Sequence, residues 1–470
     1  MSGFPRRVFL NKRNVNIGGG VSKSGLPGGV GTPAMLKRFM QVRSNKAAEA
    51  AAPIIDDGDI TDGGSIVQPP QGITTFGSGT IITKDPSGIC YIEDYTLTAS
   101  DRNVEDYLGC SVAIYGDYIV AGAYAADDDD QSNGALYVYK KENGTFGTTI
   151  NTSDPNGQAY IQKYKLIASD KADQDYLGFS VAINSEYIVA GAYRKNVQDD
   201  DNGVVYIYKK KQDGSFGILS GSTYVEDYKL IASDKKDESY LGWSVAINDD
   251  YIVVGSPKAD NNSETDVGVV YVYNKNVGDD SFGVIKTIGG TTYYAENYKL
   301  GASDADGGEL LGTSVAVNSN FIATGAYKAN VDDANNGAIY VYEKHNTEIF
   351  GKQINAWQSV ETQKLIASDH QDESLLGHSI AANDTYLVSG AYAMNTNGLD
   401  DNGITYVYKK TNEVYGDACG NYFVETYKLK PSNPDNGDYF GYSVALSDNY
   451  IVSSSYGKDI ADTNNGTLYI

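Results

Sequence analysis

The residues of this chain best suited to chemistry are carboxylates, and they come in groups. Asp170, Asp173 and Asp175 form one group, and Asp199, Asp200 and Asp201 follow in the next loop. Ca2+ takes six to eight oxygen ligands, so loops of this kind that converge would make a divalent-cation site. Asp and Asn also build turns by bonding their own backbone, a reading that needs no ion. Other chemistry is poorly represented. The three histidines, His345, His370 and His378, sit in no nucleophile or metal motif, and Cys90, Cys110 and Cys419 are too irregularly spaced for a disulfide framework or a zinc site. Glycine-rich stretches near the N-terminus lack the flanking residues of a phosphate-binding loop. The carboxylates recur along the chain, whereas a catalytic pair would break that symmetry. Neither enzyme activity nor a catalytic residue is expected.

What must position these acids is a repeat. The glycine of a Leu-Gly-x-Ser pattern returns at Gly109, Gly178, Gly242, Gly312 and Gly377, and again as Phe-Gly at Gly441, in steps of 64 to 70 residues. Such a period means an array of supersecondary units. Each unit offers four strand-like runs, which in the second copy are residues 180–184, 187–193, 204–210 and 226–233. Asn184-Ser185-Glu186 reads as a tight hairpin turn and Asp201-Asn202-Gly203 as the end of a longer loop. Four short antiparallel strands per unit, repeated about an axis, describe a β-propeller blade, and 39 tyrosines suit such strands. The last copy stops in its third strand, at residues 465–470, while residues 74–100 match the tail of a unit. The expected fold is therefore all-β, a six-bladed propeller closed by an N-terminal strand joining the C-terminal blade. The alternative is seven blades with a truncated C-terminus.

At LGFSVAINSEYIVAGAY and NGVVYIYKK the chain resembles the FG-GAP repeat family, the blade type of the integrin α-subunit propeller. The Phe-Gly half is most faithful at Phe440-Gly441. The Gly-Ala-Pro half appears at Gly122-Ala123-Tyr124, Gly191-Ala192-Tyr193, Gly255-Ser256-Pro257, Gly325-Ala326-Tyr327 and Gly390-Ala391-Tyr392, and degenerates to Ser453-Ser454-Ser455-Tyr456. The resemblance implies adhesion or recognition at a cell or particle surface. Integrin-type blades often hold calcium in a long loop between their first two strands. Here that connection is only Asn184-Ser185-Glu186 or its equivalents, too short to wrap an ion.

The net charge is −24, and the acids concentrate in two loop classes, between strands two and three and between the fourth strand and the next first. Both emerge at one end of an up-and-down blade. That end is the candidate partner-binding face, carried by Asp101, Asp106, Asp127, Asp128, Asp129, Asp130, Asp234, Asp237, Asp332, Asp333, Asp369, Asp372, Asp400 and Asp401, with the two groups named first as the candidate Ca2+ ligands. A negative field of this kind steers basic partners and repels nucleic acid. The expected function is non-catalytic recognition of a protein or glycan through this acidic face.

Residues 1–72 read as a flexible leader ahead of a propeller over residues 73–470, with a possible amphipathic helix at 33–51. Residues 1–48 hold nine Lys or Arg and no acid, among them Arg6, Arg7, Lys12, Arg13, Lys37, Arg38 and Arg43. A block of one sign beside a body of the other reads as an interaction tail. It would anchor the protein, mediate self-association, or position it as a structural component of a particle. No apolar run is long enough to span a membrane, and no secretory signal is seen.

Overall fold

The computed structural model describes residues 81–85, 88–91 and 96–470, apart from 128–130, 151–158, 198–199, 235, 261–263, 332–333, 345–348, 356–357 and 460–465. The chain divides into two compact units, Met1–Thr32 and Pro33–Ile470, and every described residue belongs to the second. The leader, its helix and its basic residues lie outside the described residues.

The described residues form a six-bladed β-propeller. Blade 2 shows the pattern: Ser180–Ile183, Tyr187–Ala192, Val204–Lys209 and Tyr228–Ile231 pair in order as antiparallel neighbours. Blades 1, 3, 4, 5 and 6 begin at Val112–Tyr115, Ser244–Ile247, Ser314–Val317, Ser379–Ala382 and Phe440–Leu446. The first turn closes on an Asn side chain: Asn184 Oδ1 accepts the N–H groups of Glu186 at 3.0 Å and Tyr187 at 2.8 Å, an Asx turn that needs no further residue. Central strands such as Val204–Lys209 are buried on both faces, because each sheet is sandwiched between its neighbours. The cores lie at those junctions, where Val120, Leu136 and Val138 of blade 1 pack against Ile188, Ala190 and Tyr206 of blade 2.

Both halves of the glycine motif are explained at the same junctions. A Cβ on Gly191 would lie 1.9 Å from the carbonyl oxygen of Gly242 in the next blade, and one on Gly255 equally close to that of Gly312. The motif serine fastens the approach: Ser180 Oγ donates to Gly242 O at 2.7 Å and Ser244 Oγ to Gly312 O at 2.8 Å. Backbone meets backbone across the junction, and only glycine allows it.

Two features depart from the sequence expectation. The third-to-fourth connection carries a hairpin that reaches back to the preceding blade. Val284–Ile288 and Thr291–Ala295, from the third unit, extend the sheet of blade 2, with Leu230 beside Tyr294 in a parallel ladder. Blades 1 to 4 thereby carry six strands along the main order of each sheet. The second departure concerns closure. Thr96–Thr98 pairs with Ala159–Ile161, and Thr467–Tyr469 pairs with Ile451–Ser455. Among the described residues no ladder joins Thr96–Thr98 to Thr467–Tyr469. The anticipated closing strand thus lies in a separate three-stranded sheet. Sterics at the last blade give a reason. Ser454 replaces the glycine of the other five copies, and a side chain there obstructs the close backbone approach that every internal junction uses.

Candidate functional site

The two acidic loop classes meet, and backbone bonds hold them together. The N–H groups of Glu238, Tyr240 and Leu241, before blade 3, donate to the carbonyls of Asp200, Asp201 and Asn202 in blade 2, at 2.8 to 3.2 Å. The same three-bond pattern joins Gln174, Tyr176 and Leu177 to Gln131, Ser132 and Asn133, and recurs at the later junctions. The geometry is demanding: Tyr107, Tyr176, Tyr240, Leu310, Leu375 and Tyr439 all have φ between 54° and 63°. A bulky residue in the left-handed region carries strain, and six copies of it mean that the turn requires it.

The carboxylates divide into structural and solvent-facing sets. Asp170, Asp234, Asp304 and Asp369 each accept from a strand-three tyrosine of the next blade, namely Tyr206 at 2.8 Å, Tyr271 at 3.0 Å, Tyr340 at 3.1 Å and Tyr406 at 2.7 Å. Each also binds a lysine of that blade's fourth strand: Lys229 and Asp170 at 2.7 Å, Lys299 and Asp234, Lys364 and Asp304 at 2.6 Å, Lys428 and Asp369 at 2.7 Å. Asp101 pairs likewise with Lys165 at 2.7 Å. Burial alone would raise the Asp170 and Asp369 carboxyls, but their lysine and tyrosine partners hold both below the usual range. These acids fasten blades together, and their strand lysines lower the net charge of this end.

The proposed Ca2+ ligands are likewise distributed among other partners. Asp175 is buried and bonds Lys195 Nζ at 2.9 Å, and that ammonium also reaches the Asp170 carbonyl. Burial pushes the Asp175 carboxyl up. Asp173 accepts the Gln131 N–H at 3.1 Å and Asp201 pairs with Arg194 at 2.9 Å, while Asp200 uses its N–H on Asp237 and Asp199 lies outside the described residues. Among the described residues no group of three or more His, Cys, Asp or Glu is arranged to hold a metal ion.

Of the candidate face, Asp106 is buried and accepts the Asn103 N–H, Asp127 accepts from Ser132 at 2.6 Å, and Asp372 accepts from Ala334 at 2.9 Å. Asp400 and Asp401 spend their backbone N–H groups on Asn436 and Asn395, and burial raises the Asp401 carboxyl. Asp128, Asp129, Asp130, Asp332 and Asp333 lie outside the described residues. Glu105, Glu238 and Glu373 remain exposed.

Beside the acids runs an aromatic arc. Phe179 lies 4.6 Å from Tyr193 and 4.8 Å from Trp243, and Tyr193 lies 5.2 Å from Tyr240. A second arc joins Tyr327, His378, Tyr392, Tyr442 and Tyr456. His378 donates from Nδ1 to the Tyr442 carbonyl at 3.2 Å, and burial drops its pKa to about 4, so it is neutral at physiological pH. It packs as an aromatic ring. The slot after the motif glycine holds Phe179, Trp243, His378 and Tyr442 in four of the six copies, with Cys110 and Thr313 in the other two.

A sequence profile described as the FG-GAP repeat matches six times, over residues 91–139, 156–208, 224–273, 294–342, 359–408 and 423–470. The chain belongs to the FG-GAP repeat family. Among solved structures, the FG-GAP chain is similar to the periplasmic gluconolactonase PpgL of Pseudomonas aeruginosa, at 10% identity and a TM-score of 0.35, over 77% of this chain and 83% of that one. No curated protein matches the sequence. No helix among the described residues is long and apolar enough to cross a membrane.

Proposed function

We propose that this FG-GAP propeller is a non-catalytic binding module whose acidic loop end docks a basic protein partner at a cell or particle surface. The observation that carries the reading is the joining of the two acid-rich loop classes at one end by repeated backbone bonds between blades. Loops held in that way present Glu238 and Glu373 on one preorganised surface, which favours affinity by cutting the ordering cost of binding, and Glu105 is exposed on the corresponding loop before blade 1. Ca2+ has no part in this reading, because lysine ammonium groups already neutralise Asp170 and Asp175.

The test is binding of lysine-rich and glutamate-rich peptides to the immobilised protein at low and high salt. The lysine-rich peptide is expected to bind, with affinity falling as salt rises. Reversing charge at the three exposed sites, Glu105→Lys, Glu238→Lys and Glu373→Lys together, is expected to weaken it at least tenfold. Equal binding of both peptides, or none of either, would defeat the proposal.

A further inference from the structure

The acid at one turn position meets different partners from blade to blade. The residue before the left-handed turn is Asp106, Asp175, Ser239, Glu309, Ser374 and Asp438 in blade order, and the second residue after the Gly-Ala-Tyr motif or its equivalent is Ala126, Lys195, Ala259, Ala329, Met394 and Lys458. In the second and sixth sets acid and lysine occur together. Lys195 bonds Asp175 at 2.9 Å and Lys458 bonds Asp438 at 3.2 Å, each ammonium also reaching a backbone carbonyl, that of Asp170 or of Asn433. Where serine takes the acid's place, its hydroxyl closes locally, Ser239 on the Lys236 carbonyl and Ser374 on the Gln371 carbonyl. Asp106 and Glu309 both face alanines, Ala126 and Ala329; Asp106 accepts the Asn103 N–H, and Glu309 takes the Asp306 backbone N–H and has one oxygen left over. Glu309 is 3% exposed, its Oε2 finds no hydrogen-bond partner among the described residues, and the position of the lysine is held by Ala329.

The surroundings favour a cation at this carboxyl. Asp304 and Asp306 add negative charge beside it, and Lys364 is committed to Asp304 at 2.6 Å, as is the Tyr340 hydroxyl at 3.1 Å. Lys328, next to Ala329, gives Glu309 only its backbone N–H and lays its ammonium over the Tyr327 ring, 5.7 Å from the centroid. The loop above carries Gly307 and Gly308 where blade 2 has Asp173 and Gln174, so it lacks two side chains there, and the Glu264 carboxylate lies beside Gly307. A buried carboxylate without a counter-charge is costly, and a charge-assisted bond to an ammonium offsets that cost.

We propose that Glu309 forms, with the Asp304 backbone, a socket for a primary ammonium group supplied from outside, the lysine side chain of the basic partner. The inference rests on the docking function proposed above and names its anchor point. A guanidinium is larger and planar, so the socket discriminates lysine from arginine.

The experiment has two arms on the full chain at pH 8. In the first, thermal melts compare methylammonium chloride with sodium chloride at equal ionic strength. Methylammonium is expected to raise the wild-type Tm above the sodium control, since a ligand of the native state alone stabilises it, and to do nothing for Glu309→Gln or for Ala329→Lys, which supplies its own ammonium as blades 2 and 6 do. An equal shift in wild type and Glu309→Gln, or no shift in wild type, overturns the socket. In the second arm a lysine-rich peptide is expected to lose at least tenfold in affinity to either variant, and an arginine-rich peptide to bind all three proteins alike. Lysine-rich peptide that binds all three alike also overturns the anchor while leaving the acidic docking surface standing. A methylammonium shift with no peptide binding at all rejects the docking surface and the lysine source, and leaves an ammonium site for free amines.

Discussion

Gly255 and Gly116 show how differently two glycines of one repeat can matter. A Cβ on Gly255 would sit 1.9 Å from Gly312 O, whereas one on Gly116, at φ +54°, would meet nothing within 4 Å. Gly255→Ala must push two blades apart and is expected to cost about 3 kcal/mol. Gly116→Ala pays only for a left-handed backbone, about 1 kcal/mol, and equal urea midpoints for the two variants would contradict the packing argument. Glu309 makes the second residue-scale case, through pH. Burial pushes its carboxyl up to about 7, against about 4.3 in an unfolded chain. Between those values the native state holds a proton that the unfolded state has released, so this group makes stability fall as pH rises. Glu309→Gln is expected to remove that slope, gaining on wild type from pH 5 to pH 8 in urea titrations made without added amine. A constant offset between the two proteins would show that the carboxyl does not titrate there.

At the scale of elements, the back-reaching hairpins turn separate sheets into a chain of interlocked ones. Each ends in a clamp: Glu296 takes the Ser233 N–H at 2.8 Å and its hydroxyl at 2.5 Å, and Glu226, Glu361 and Glu425 do the same for Ser169, Ser303 and Ser368. The earliest clamp uses an amide, with Gln162 Oε1 accepting from the Ser100 N–H and Nε2 donating to its hydroxyl. The chain itself thus indicates that Glu296→Gln keeps both bonds and loses only the pairing with Lys299 at 3.6 Å. That change is expected to cost under about 1 kcal/mol, and Glu296→Ala, which removes both charge-assisted bonds to Ser233, about 1 to 3 kcal/mol. Calorimetry that ranks the two equally would remove the clamp's energetic role. The four strands of each blade were legible because the alternation repeats from copy to copy and the Asn turn recurs in blades 2 to 5. The hairpins were not, since stretches such as residues 284–295 vary in sequence and find their partner in the preceding unit. The same distance hid the lysine pairs: Lys229 lies 59 residues from Asp170, so a loop-by-loop count of acids left its neutralising charge out.

Across the whole propeller, each blade contacts its neighbours through one recurring junction, so stability is a sum of blade and junction contributions, as in other repeat proteins. Exposure shows where that sum is smallest. Val112 and Ile114 on the inner strand of blade 1 are 49% and 66% exposed, and Leu468 in blade 6 is 56% exposed. Their counterparts at internal junctions, such as Val181 and Ile183, pack against the preceding blade, and Val205 and Ile207 are fully buried. Local opening follows such differences in buried contact, and it should therefore start at blades 1 and 6 and reach blade 3 last. Hydrogen exchange in the folded protein is expected to find amides of Ile451–Ser455 and Val112–Tyr115 exchanging well before those of Tyr251–Ser256, although all three belong to antiparallel ladders. The acidic end shares this order, because its loops are tied across the same junctions. The Glu309 region, between blades 3 and 4, is then the most rigid part of the docking surface. Uniform exchange in all six blades would mean instead that the terminal blades gain a junction in solution, and the ladder between Thr96–Thr98 and Thr467–Tyr469 would be the first place to look for it.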